Sequence, residues 1–211
     1  MDEIMKLQEE IKKIMEELFG SCEDDNGILR SMAEHMGVTD VGALVEIALE
    51  NGGDSLGGDF LFPVVNFHLT LATDIEDEVI PNLLISLNAL NHEISAGAFP
   101  SLGTFVYYPP LNQVYLSYRL PVCAEGDIET NLTNIRFVFS LLYEQLDLFM
   151  DLIIFTVNSL EGITIGEYME YLDEVSDLND LTARSEVLKQ HFDQLLESGA
   201  ENEDWRRKGD E

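Results

Sequence analysis

The chain has 211 residues, 45% hydrophobic and 25% charged, enough apolar material for one good-sized core. Its 41 acidic residues face only 11 basic ones, a formal net of −30, so repulsion excludes nucleic acid and anionic membrane surfaces as expected partners. Abundant Leu, Ile, Val and Phe exclude wholesale disorder, which needs low hydrophobicity together with high charge.

Met1-Asp2-Glu3-Ile4-Met5-Lys6 places no basic stretch ahead of an apolar one, so no secretory leader is expected. The most apolar run, Leu152 to Val157, is too short to span a bilayer. Cys22 and Cys123 form no CxxC pair and no disulfide framework. A cytoplasmic location is the expectation.

Ile4, Leu7, Ile11, Ile14 and Leu18 fall on one helical stripe, and Gly20 ends it. Two shorter helices are expected next, Ile28 to Met36 ended by Gly37, and Asp40 to Glu50 ended by Asn51-Gly52. These make a helical annex over residues 1–52, and the glycine-rich stretch 53–58 reads as a linker. Phe67, Leu69 and Leu71 then alternate with Asn66, His68 and Thr70 as a half-buried strand, with Pro63 at an edge or bulge. A helix follows from about Asp77 to Asn91, which Pro81 permits only in its first turn.

Gly103 to Tyr108 and Gln113 to Leu120 read as a strand pair, with Val114, Leu116, Tyr118 and Leu120 on one face of the second. Asp127 caps a long helix whose apolar residues run from Ile128 to Ile153 at intervals of 4 and 3. Thr164-Ile165-Gly166-Glu167 has the spacing of a capping box. A last helix is expected from about Asp180 to Glu197, and a mobile tail over 199–211 that holds Trp205-Arg206-Arg207-Lys208. The main domain then covers 59–158, and the C-terminal helices 159–198.

Most candidate chemistry fails on its own requirements. Gly53-Asp54-Ser55-Leu56-Gly57 fits a nucleophile elbow and resembles the signature of GDSL esterases, which would make Ser55 a nucleophile. It follows a predicted helix instead of a strand, and the residue three before His191, the one late histidine, is Leu188 instead of Asp. Asp24-Asp25-Asn26-Gly27 lacks both essential EF-hand carboxylates and reads as a turn before a helix. The segment around Gly37 resembles a helix-turn-helix, but its second helix offers no side chain for a base edge. His35, His68, His92 and His191 have no zinc-site spacing, and His68 is expected on the polar face of its strand. Glu144, Asp147 and Asp151 share one helical face, either a solvated acidic face or a divalent-cation site.

The main domain carries a clearer likeness. Leu83-Leu84-Ile85-Ser86-Leu87-Asn88-Ala89-Leu90-Asn91 is followed by Ala96-Gly97-Ala98-Phe99 and Phe105-Val106-Tyr107-Tyr108. Then come Val114-Tyr115-Leu116-Ser117-Tyr118-Arg119-Leu120-Pro121 and the long helix from Asp127. Over residues 59–158 this resembles the YbjN-like and type III secretion chaperone-like superfamily. The resemblance implies an α+β fold, a curved antiparallel sheet packed with helices. It also implies a bacterial, non-enzymatic role with no cofactor and no metal, and it carries over no ligand-contact residue.

The expected function is therefore a protein-binding module, chaperone-like or regulatory, whose acidic surface suits a basic client. Its partner is a client protein or a second copy of the chain. The competing readings are the esterase using Ser55 and a carboxylate-based cation binder. Phe105, Tyr107, Tyr115 and Arg119 are the expected partner-binding residues, on a sheet face without helices, because aromatic and Arg side chains dominate interface energies. The opposing expectation is that the annex or the C-terminal helices cover that face.

Overall fold

The structure, a computed structural model, describes residues 3–37, 40–51, 63–96, 102–122, 127–158, 164, 166–168 and 170. Helix α1 (Glu3–Phe19) buries Leu7, Ile11, Ile14 and Met15. It ends as expected at Gly20, whose φ of 79° disfavours a side chain and whose amide reaches the Glu16 carbonyl at 3.0 Å.

Strands β1 (Glu23–Asp25) and β2 (Ile28–Met36) flank Asn26 and Gly27, at φ 53° and 90°. That is the primed two-residue hairpin turn, for which Asn-Gly is the strongest short signal. Asp24 Oδ1 accepts the Gly27 amide at 3.0 Å and holds the turn closed. The turn expected here is present, but it leads into a strand. Strand β3 (Val41–Asn51) follows, so both short helices expected over Ile28–Met36 and Asp40–Glu50 are strands instead.

The physical reason is burial on alternate residues. Leu29, Ser31 and Ala33 of β2 and Ala43, Val45 and Ile47 of β3 face the core. Apolar Ile28, Met32 and Leu44 on the opposite face blur that alternation into something that looks helical. The helical annex over 1–52 thus reduces to α1, and β3 pairs with the next strand from Leu44 to Asn51.

That next strand is β4 (Pro63–Thr73), central in the sheet, with Pro63 as its first residue. Helix α2 (Ile80–Ser95) has Pro81 in its first turn, as required. Strands β5 (Thr104–Tyr108) and β6 (Gln113–Pro121) form a hairpin around a short 3-10 turn. The long helix α3 (Ile128–Asn158) begins at Asp127, whose carboxylate accepts the Glu129 amide at 3.4 Å and the Thr130 hydroxyl at 3.1 Å.

The order across the sheet is β1-β2-β3-β4-β6-β5, antiparallel throughout, which is the α+β architecture expected. Helix α1 lies over β2, α3 over β4, and α2 over β5. Phe67 of β4 meets Phe139 of α3 edge-on at 5.1 Å, and Phe105 of β5 meets Phe149 at 6.1 Å.

Beyond α3 the capping box forms: the Glu167 amide donates to Thr164 Oγ1 at 3.2 Å and the Thr164 amide to Glu167 Oε2 at 2.8 Å. Tyr168 then turns back on α3, its hydroxyl donating to the Leu148 carbonyl at 2.6 Å. The expected linker with Ser55, the helix at 180–197 and the tail lie outside the described residues. No helix among the described residues is long and apolar enough to cross a membrane.

Candidate functional site

A six-stranded sheet has two edges, and here they are finished differently. On the β5 edge the Asn91 side chain of α2 brackets one residue. Its Nδ2 donates to the Phe105 carbonyl at 2.7 Å, and its Oδ1 accepts the Phe105 amide at 2.9 Å. The outward main-chain groups at the middle of that edge are thereby satisfied, which blunts it against further pairing.

The opposite edge is covered for only part of its length. β1 is three residues long and pairs with β2 at Ile28, Leu29 and Arg30 alone. From Ser31 to Met36 the outer edge of β2 meets no strand among the described residues. The two-residue turn makes Asp25 and Ile28 a hydrogen-bonded pair, so by alternation the main-chain groups of Met32 point away from β3.

Along this open stretch runs a groove of about 390 Å³. Leu18 and Phe19 from the end of α1 form one wall, Met32, Glu34 and His35 of β2 another, and Phe139, Ser140, Tyr143 and Glu144 of α3 the third. Phe139, 6.0 Å from Phe19, joins the groove to the core. Leu18 is 54% exposed, Met32 45% and Tyr143 39%, so large apolar side chains face water along it. Glu34 and Glu144 make the groove acidic.

The loop from β2 to β3 closes the far end. His35 sits in a bulge at φ 61°, and its Nδ1 lies 2.7 Å from Asp40 Oδ1. Hydrogen bonding to Asp40 raises the His35 pKa. Gly37, at φ 63°, donates its amide to Asp147 Oδ1 at 2.8 Å, and a Cβ there would come within 2.6 Å of Asp151 Oδ1. Glycine is what lets the loop rest on α3. The three carboxylates expected to share a helical face thus have separate places: Glu144 lines the groove, Asp147 holds the Gly37 amide, and Asp151 is buried beneath it. No three His, Cys, Asp or Glu side chains among the described residues are grouped to hold a metal ion.

The expected partner-binding residues do not form one cluster. Phe105 pairs with Leu116 and Tyr107 with Val114, so both point toward the helices. Phe105 is 2% exposed against Phe149, and the Tyr107 hydroxyl donates to Asn112 Oδ1 at 3.0 Å. Of the four, only Tyr115 and Arg119 lie on the face that no helix among the described residues covers. There Tyr115 stacks on His68 at 3.9 Å, and Arg119 bonds Asn66 at 2.8 Å and Glu50 at 3.3 Å. Burial lowers the His68 pKa by disfavouring the charged ring. The separation follows from register: odd residues of β5 sit opposite even residues of β6.

The groove is hidden in the sequence, since β2 reads as helix there and Tyr143 sits beside the core residue Leu142. Two signals pointed to it. Asn26-Gly27 marks a hairpin, and Leu18 extends an apolar stripe one turn past the residues that the sheet can cover. No family model, no curated protein and no solved structure matches the chain.

Proposed function

We propose that the chain is a non-enzymatic protein-binding module, chaperone-like or regulatory and working in the cytoplasm, that holds an extended basic segment of a partner along β2. The observation that carries this reading is the β2 edge from Ser31 to Met36, which meets no strand among the described residues, beside an apolar groove with an acidic rim. Adding a strand to an open edge supplies affinity through main-chain hydrogen bonds, while alternate side chains reach pockets and give specificity. Apolar side chains of the incoming strand would enter between Leu18, Phe139 and Tyr143, and Lys or Arg would meet Glu34 and Glu144. The chain's net charge of −30 speeds the approach of a basic partner and turns acidic ones away.

The likeness over 59–158 to secretion chaperones and YbjN-like proteins supports the same class. The strand, helix, hairpin and long helix that carry it occur here as β4, α2, β5–β6 and α3.

The test is a titration with a fluorescent decapeptide alternating Val and Lys, beside its Val/Glu counterpart. The basic peptide should bind, and weaken as NaCl rises from 50 to about 500 mM. Glu144→Lys should cost about tenfold in affinity, and so should Met32→Pro, which removes the outward N–H and spares the β2–β3 ladder. Equal binding of both peptides, or indifference to both substitutions, contradicts the proposal.

A further inference from the structure

In a chain this acidic, the groove has one complement within the sequence itself. Between Ser31 and Ala183 only Arg119 and Arg136 are basic, and both are engaged, Arg119 with Glu50 at 3.3 Å and Arg136 with Glu17 at 2.9 Å. Arg206-Arg207-Lys208 is the chain's one run of three consecutive cations, and its one tryptophan, Trp205, immediately precedes it.

We infer that Trp205-Arg206-Arg207-Lys208 docks in this chain's own groove and competes with a partner for it. The inference rests on reading the groove as a peptide site. The groove asks for one large apolar side chain and adjoining cations. Leu18, Phe19, Met32, Phe139 and Tyr143 offer the apolar surface, and Glu34 and Glu144 offer the charge. An indole buries roughly 150–250 Å² and takes little conformational entropy with it, and Arg gains further from an aromatic face such as Tyr143. Glu203, Asp204, Asp210 and Glu211 flank the run, so repulsion by Glu34 and Glu144 leaves the central four residues as the part that docks.

The connection is long enough. Tyr168 is bonded to the Leu148 carbonyl, one turn of α3 beyond Glu144, or about 6 Å along the axis. From Tyr168 to Trp205 there are 37 residues, which even at the helical rise of about 1.5 Å per residue cover about 55 Å, against the roughly 6 Å from Leu148 to Glu144. Tethering makes the contact intramolecular, so its occupancy does not depend on protein concentration.

Trp205 is also the reporter, because the full chain has no other tryptophan. Its emission should be shifted to the blue and protected severalfold from acrylamide relative to N-acetyltryptophanamide, independently of protein concentration. The double variant Glu34→Lys/Glu144→Lys, both sites being exposed, should abolish the protection. Quenching equal to the free amide in the unsubstituted chain overturns the inference, as does protection that survives the double variant or that grows with concentration. The Val/Lys decapeptide should bind Trp205→Ala about tenfold more tightly than the unsubstituted chain. Equal, measurable affinity for both removes the competition and leaves the peptide-binding reading standing. Absence of binding to either counts against that reading, while the acrylamide result decides the self-docking on its own.

Discussion

Two histidines on the same sheet have pKa values shifted in opposite directions because one is exposed beside a carboxylate and the other is half-buried beneath a ring. His35 gains a partner in Asp40, so its pKa rises on folding. The stability it contributes is fully present below the ordinary imidazole value of about 6.5 and is lost as pH rises through its folded pKa. His68 loses solvation under Tyr115, so its pKa falls. The folded state then binds fewer protons than the unfolded one, and stability erodes as pH drops below about 6.5. Two outcomes are expected. His68→Gln should flatten the loss of stability on acidification, followed by urea denaturation between pH 7 and 5. Protonated His35 adds a positive charge to the groove wall, so basic-peptide affinity should fall as pH drops through its raised pKa, and His35→Gln should remove that fall. An unchanged pH profile in either variant contradicts the corresponding assignment.

Among the elements, the two sheet edges carry the contrast on which the proposed function rests. Asn91→Ala would leave the Phe105 amide and carbonyl without their partner in a largely buried place. A cost of about 2 kcal/mol is expected by chemical denaturation, together with concentration-dependent association as the β5 edge opens. A loss below about 0.5 kcal/mol with no association would show that the bracket is dispensable.

Local periodicity decides which of these elements the sequence reveals. Helix α1, strand β4, the β5–β6 hairpin and α3 each present one strong period, and Gly20, Pro81 and Asp127 punctuate them where local chemistry requires. β2 and β3 do not, because both faces of each strand carry apolar residues and the helix-compatible Leu, Met and Ala dominate. Their strand character comes from pairing across the sheet, which a local period does not register. The Asn26-Gly27 turn was the one local clue able to overrule it. The site was hidden for the same reason: a groove beside a strand edge cannot be inferred where the strand reads as helix. The separation of Phe105 and Tyr107 from Tyr115 and Arg119 depends on the register across a four-residue connection, which their own alternation leaves open.

For the whole molecule the charge now has a place. A net of −30 works against compactness by self-repulsion, yet the described core is continuous from α1 through the sheet to α3 and Tyr168. Few of the described acidic side chains enter the proposed recognition. Glu34 and Glu144 stand at the groove, while others such as Asp24, Asp127 and Asp147 serve turns and caps. Whether a partner strand lies along β2 from Ser31 to Met36 is read by amide hydrogen exchange with and without the Val/Lys decapeptide. The Met32 amide should become protected at least tenfold on binding, while the Phe105 amide, already bonded to Asn91, should not change. Protection confined to β5 or to the face that carries Tyr115 and Arg119, with Met32 unaffected, would contradict the proposed placement.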